Sequence, residues 1–174
     1  MSDVVEKCGV NVNGVTLLKT GTVELGGGGC MCSEGTFLKA FMRHLLLDSE
    51  DVAILDMEAG IEHLGRGTAE GVDVFIVVVE PGMRSVQTAH VVRSLAADLG
   101  VREVVAVGNR VRGPEDVAYL EGVLGEIELI GTLPDSEGVR QADRDGVSPF
   151  GIDKEFTEAL ESIAASLIAR SDRT

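Results

Sequence analysis

The sequence predicts an α/β fold, a mainly parallel sheet with helices on both faces, and three observations carry that expectation. Short apolar runs alternate with stretches of helical period along nearly the whole of the 174-residue chain. Hydrophobic residues make up 44% of the chain but aromatics only 3%, a mix that suits β-branched strands covered on both sides. No repeat, linker or low-complexity tract interrupts the pattern, so residues 1–174 read as a single domain.

Taken in order, residues 15–23 read as a strand and residues 34–47 as a helix. Ser33 is placed to cap that helix, with Phe37, Leu38, Phe41, Leu45 and Leu46 on one side. Residues 52–56 read as a buried strand, and Val74–Val79, the most apolar segment, as another ending at Glu80-Pro81-Gly82. A helix over 85–99 stops at Gly100. The strand at 104–108 leads into Pro114–Leu124, a helix with proline in its first turn, and then into a strand at 127–131. Helices at Glu137–Asp145 and 153–169 close the chain. Ligands in such sheets bind beyond the carboxyl ends of the strands. The loops after Val23, Asp56, Val79, Gly108 and Gly131 are therefore where chemistry is expected.

Composition narrows the partners. A net charge of −14 and the absence of Trp disfavour nucleic acid and anionic membrane. Three cysteines, an odd number, argue against a complete disulfide framework, and the opening residues hold no long apolar core. A reducing, cytoplasmic setting is the expectation.

Three constellations carry chemistry. Gly26-Gly27-Gly28-Gly29 leads into Cys30-Met31-Cys32, where two thiols one residue apart can aim their sulfurs to one side. Two thiolates are half of a tetrahedral soft-metal site, and a twofold dimer axis would supply the other half. A redox pair and two plain loop cysteines are the alternatives. The apolar run 52–56 ends in Asp56, with Glu58, Glu62 and His63 close by, as nucleotide hydrolases place a carboxylate near magnesium. Asn109-Arg110 follows one strand and Pro134-Asp135 the next, and a side-chain amide can both donate to and accept from a base edge.

Several segments together resemble one family. The run Gly29-Cys30-Met31-Cys32-Ser33-Glu34-Gly35 with Arg43-His44-Leu45-Leu46 is similar to the nickel-insertion accessory proteins of carbon monoxide dehydrogenase (CooC type). So are Ile54-Leu55-Asp56-Met57-Glu58-Ala59-Gly60-Ile61-Glu62-His63, Val79-Glu80-Pro81-Gly82 with Arg84-Ser85, and Leu95-Ala96-Ala97-Asp98-Leu99-Gly100. The resemblance runs from about Val15 to about Pro149 and implies the P-loop NTPase fold of the MinD and nitrogenase iron protein class.

It further implies a homodimer that closes around ATP and magnesium and delivers nickel to carbon monoxide dehydrogenase. Cys30 and Cys32 match the pair that binds nickel or zinc between subunits, and Asp56 matches the acid ending the second nucleotide motif. Asn109 matches the residue that recognises adenine, flanked by Pro134 and Asp135. The family's first strand and P-loop have no counterpart here: the sequence contains no Gly-Lys pair, and Gly26–Gly29 offers neither lysine nor a magnesium-binding hydroxyl. Three readings follow: a metal-handling protein with impaired ATP use, an ATPase completed by an upstream segment or a second polypeptide, or a scaffold.

Overall fold

The computed structural model describes residue 5, residues 7–19, 40–41, 51–57 and 72–171. Its contacts cluster into two compact units, Met1–Gly71 and Val72–Thr174.

In the first unit β1 (Val10–Val12) and β2 (Val15–Leu17) pair antiparallel as a sheet of their own. Asn13 and Gly14 join them, both at positive φ (52° and 90°), the backbone of the tight hairpin turn whose twist matches the strands. The Asn11 side chain accepts from the Gly14 N–H at 3.2 Å. The strand expected at 15–23 is thus a hairpin arm. The helix expected at 34–47 lies outside the described residues except for Ala40 and Phe41, which are helical. A correction falls at 52–56, which forms no strand: Val52 is 73% exposed and Ile54 88%. A strand exists only as a neighbour in a ladder. Among the described residues nothing pairs with this run.

The second unit follows the expected alternation. It contains β3 (Val74–Val79), α1 (Met83–Asp98), β4 (Glu103–Val111), α2 (Pro114–Leu124), β5 (Glu128–Pro134), α3 (Glu137–Asp145) and α4 (Lys154–Ser171). The strands form a parallel sheet in the order β3-β4-β5. Local chemistry sets the helix ends. The Val101 N–H donates to Ala96 O and the Gly100 N–H to Ala97 O, both at 3.0 Å, closing α1 with Gly100 at φ 76°. Pro114 opens α2, where Glu115 and Asp116 meet the positive end of the helix.

Two glycines in the sheet show how the layers lie. A Cβ on Gly108 would stand 3.0 Å from Leu120 of α2, and a Cβ on Gly131 would stand 2.5 Å from Ile163 of α4. Gly108 pairs with Thr132, the neighbour of Gly131, and adjacent strand residues face opposite ways. So α2 and α4 cover opposite faces, and α1 packs beside α2. Two successive crossovers of one hand produce that arrangement. The core on the α1/α2 side centres on Val79, Val86, Leu120 and Leu124, all fully buried, and Val105, equally buried, faces the opposite side of the sheet. Each such side chain contributes roughly 1.5–3 kcal/mol on leaving water. On β3, by contrast, Ile76 and Val78 stay 41% and 59% exposed, and no described strand pairs with its outer edge.

α4 spans the sheet from end to end. At its carboxyl end Arg170 binds Glu103 and Glu128, at the amino ends of β4 and β5. At its amino end Asp153 accepts from the Phe156 N–H at 2.9 Å and from the Ser136 hydroxyl. The same Ser136 oxygen accepts from the Val139 N–H at 3.2 Å as the cap of α3. One hydrogen-bonded pair therefore starts both helices.

Adding a methyl at Gly131 forces Ile163 out of its seat. Gly131→Ala should cost about 1–3 kcal/mol in urea unfolding, and Ile163→Val should recover part of that loss. A fully additive double variant would refute the contact. The Ser136 hydroxyl, and next the Phe156 N–H, hold the Asp153 carboxyl below its ordinary range. That stabilisation is present above about pH 4 and is lost as pH falls through the lowered value. Asp153→Asn, which imitates the protonated acid, should unfold at lower urea than the parent at pH 7. The gap should close as pH falls through the lowered value; a gap independent of pH would assign the loss to packing.

Candidate functional site

The carboxyl ends of β3, β4 and β5 converge, and the sequence supplies polar residues at each. After β3, the Glu80 N–H donates to the Ser85 hydroxyl at 3.0 Å, anchoring the turn into α1. The Glu80 carboxylate reaches Arg110 at 3.2 Å and ties the ends of β3 and β4 together.

β4 runs further than its apolar stretch predicts, through Asn109 and Arg110 to Val111. It does so by a bulge. Gly108 pairs with Thr132 and Val111 with Pro134, so three steps on β4 face two on β5. Arg110 absorbs the extra residue at φ 54°, a left-handed conformation that costs roughly 1–2 kcal/mol for a residue with a Cβ. Non-glycine residues held there cluster at functional sites. The Asn109 side-chain oxygen accepts from the Arg110 N–H at 3.0 Å, which fixes its amide at the strand end.

The bulge also brings the two expected loops side by side. The Asp135 N–H donates to Val111 O at 3.0 Å, extending the β4–β5 pairing past Pro134. One Asp135 carboxylate oxygen accepts from Arg112 Nε at 3.1 Å, and the other binds Arg140 on α3. Asp135 keeps only 17% of its side chain exposed. The Arg112 guanidinium first, then Arg140, holds its carboxyl below the ordinary range, so it is charged at neutral pH. The chain of charge continues: Arg140 binds Glu137 at 2.8 Å, and Arg144 binds Glu137 at 2.7 Å. The Arg112 N–H, in turn, donates to Asp116 of α2 at 2.9 Å.

Of the residues singled out from the sequence, Asn109, Pro134 and Asp135 thus meet at one end of one sheet. Asp56 belongs to the first unit, exposed in the segment 51–57. Cys30 and Cys32 lie outside the described residues. Among the described residues no group of three His, Cys, Asp or Glu side chains could hold a metal ion, and no helix is long and apolar enough to cross a membrane.

Sequence reasoning missed Arg112 and Arg140. Their partner Asp135 is 23 and 5 residues away, so no local spacing marks Arg112. Arg140 carried a weak signal, three residues after Glu137 on a helix. For a nucleotide, the groups present fit the base side: an amide, backbone groups beside a proline, and a fixed carboxylate. The phosphate side would need a Gly-Lys loop that this sequence does not contain.

Comparison with known proteins bears on the same residues. No family model matches the chain. It is 35% identical over 170 residues to the carbon monoxide dehydrogenase accessory protein CooC of Rhodospirillum rubrum, covering 98% of this chain and 65% of that protein. It is 37% identical over 177 residues to an ATP-binding protein of Methanocaldococcus jannaschii, covering 100% of this chain and 68% of the relative. The chain thus spans about two thirds of the length of these relatives. The MinD cell division protein of Aquifex aeolicus shares the fold with a TM-score of 0.50 at 22% identity, over 64% of this chain and 49% of that one. The chain belongs to the family of the Methanocaldococcus jannaschii ATP-binding protein, which is covered to two thirds, is similar to the CooC accessory protein, and shares its fold with MinD.

Proposed function

We propose that this chain is an accessory protein for nickel insertion into carbon monoxide dehydrogenase, working in the cytoplasm as a homodimer. Its similarity to the CooC accessory protein over 98% of its length carries the reading. Cys30 and Cys32 from two copies would complete a four-sulfur site for nickel or zinc, both of which accept thiolate ligands. The net charge of −14 also favours a cationic cargo.

Asn109, with the backbone at Pro134 and Asp135, would form the base side of an ATP site, a reading supported by the bulge in β4 that brings the two loops side by side. Asp56 is the acid that would face magnesium. With no Gly-Lys loop in the sequence, the chain has the base side of the site without the phosphate side, so its own ATP use is impaired.

The second reading is an ATPase completed by an upstream segment or another polypeptide. The exposed apolar side chains of β3, Ile76 and Val78, favour it. A scaffold without nucleotide or metal is the remaining possibility.

Titration with Ni²⁺ or Zn²⁺ should give one metal ion shared by two copies, and Cys30→Ser with Cys32→Ser should abolish it while leaving the fold intact. Metal binding that survived both substitutions would move the site elsewhere. Calorimetry with Mg-ATP should give weak binding that Asn109→Ala removes. Tight binding with steady hydrolysis by this chain alone would overturn the impairment. No binding of either metal or nucleotide would leave the scaffold.

A further inference from the structure

Asp135 follows Pro134 at the carboxyl end of β5, and each of its carboxylate oxygens accepts from an arginine. Arg112 comes from the end of β4 and Arg140 from α3, so two different elements close on it. Its main chain is fixed as well, through the Asp135 N–H to Val111 O at 3.0 Å. Each arginine is itself positioned: Arg140 Nε binds Glu137 at 2.8 Å, and the Arg112 N–H binds Asp116 at 2.9 Å.

The two purine bases ask different things of such a group. Guanine presents two adjacent donors, its ring N1–H and its 2-amino group, which a carboxylate accepts well. Adenine has neither; it offers a ring acceptor and a 6-amino donor, which an amide or a backbone N–H and C=O can meet. A free carboxylate beside the base would therefore favour guanine. One whose oxygens both hold arginine is a weaker acceptor, and its negative charge is already compensated.

We propose that Arg112 and Arg140 are specificity-determining positioning residues: by holding both oxygens of Asp135 they withhold the guanine acceptor and leave the base to Asn109 and the backbone. The inference rests on the reading of this sheet end as the base side of a nucleotide site. Discrimination here comes from withholding a partner from the wrong ligand as much as from offering one to the right ligand.

The test measures the affinities of the 174-residue chain for Mg-ATP and Mg-GTP by displacement of a fluorescent adenine nucleotide, with circular dichroism as the check on folding. The parent should prefer ATP. Arg112→Ala with Arg140→Ala should lower that preference by about tenfold or more, chiefly through tighter GTP binding. Adding Asp135→Ala should remove the gained GTP affinity, which a role confined to bracing the loop would not predict. Equal loss of ATP and GTP affinity, or an unchanged ratio, would overturn the inference while leaving the nucleotide site standing. A parent that binds neither nucleotide overturns the reading of the site and this inference with it. If the double variant does not fold, Arg140→Lys keeps the charge but loses the planar fork. It should then lower the ratio partway, and an unchanged ratio in that folded variant would count against the clamp.

Discussion

Both edges of β4 carry parallel ladders, to β3 on one side and β5 on the other, and the second unit is organised around that strand. Its residues Val105 through Gly108 are buried, so its main-chain polar groups have no water to turn to and are met by its neighbours. Once the ladders set the register, α1 and α2 have one face to cover and α4 the other. The two close glycine contacts then fix how near the layers approach. α4 cannot slide along the sheet, because Arg170 holds one end and the shared Ser136–Asp153 cap the other.

The same ladder makes the candidate site. The extra residue in β4 turns Asn109 and Arg110 out of the regular pleat, and the pairing resumes at Val111 opposite Pro134. That single irregularity lets a residue from one loop bond the main chain of the next. It does so where the parallel strands end and the helices begin, the end at which such sheets expose backbone groups to a ligand. The site is thus a consequence of strand pairing, with Arg110 held in an unfavourable conformation by the ordered strands on either side.

The electrostatics run against the whole-molecule balance. A chain carrying −14 overall gathers Arg112, Arg140 and Arg144 around Asp135 and Glu137 at the start of α3. Exposed pairs of this kind add little to stability one at a time, being screened by water and salt. Their effect here is geometric. They fix where the acidic oxygens point and what those oxygens have left to offer.

Sequence periodicity alone determined the alternation of strands and helices from Val74 onward, including Val74–Val79, Pro114–Leu124 and Glu137–Asp145 with their observed ends. Burial of apolar faces and the caps at Gly100 and Pro114 are local properties, and local properties can be read along a chain. The Asn13-Gly14 hairpin has a local signal too, a turn dipeptide between alternating valines, although only its second arm falls within the strand expected at 15–23. Asn109 and Pro134-Asp135 could be picked out by residue type, but not their meeting, which depends on a bulge that no spacing encodes. Tertiary structure alone decided three things: that 52–56 forms no strand, that Arg110 takes a left-handed backbone, and that Arg112 and Arg140 share Asp135. Each depends on a partner distant in sequence, and a hydrogen bond between distant residues exists only once the chain has brought them together.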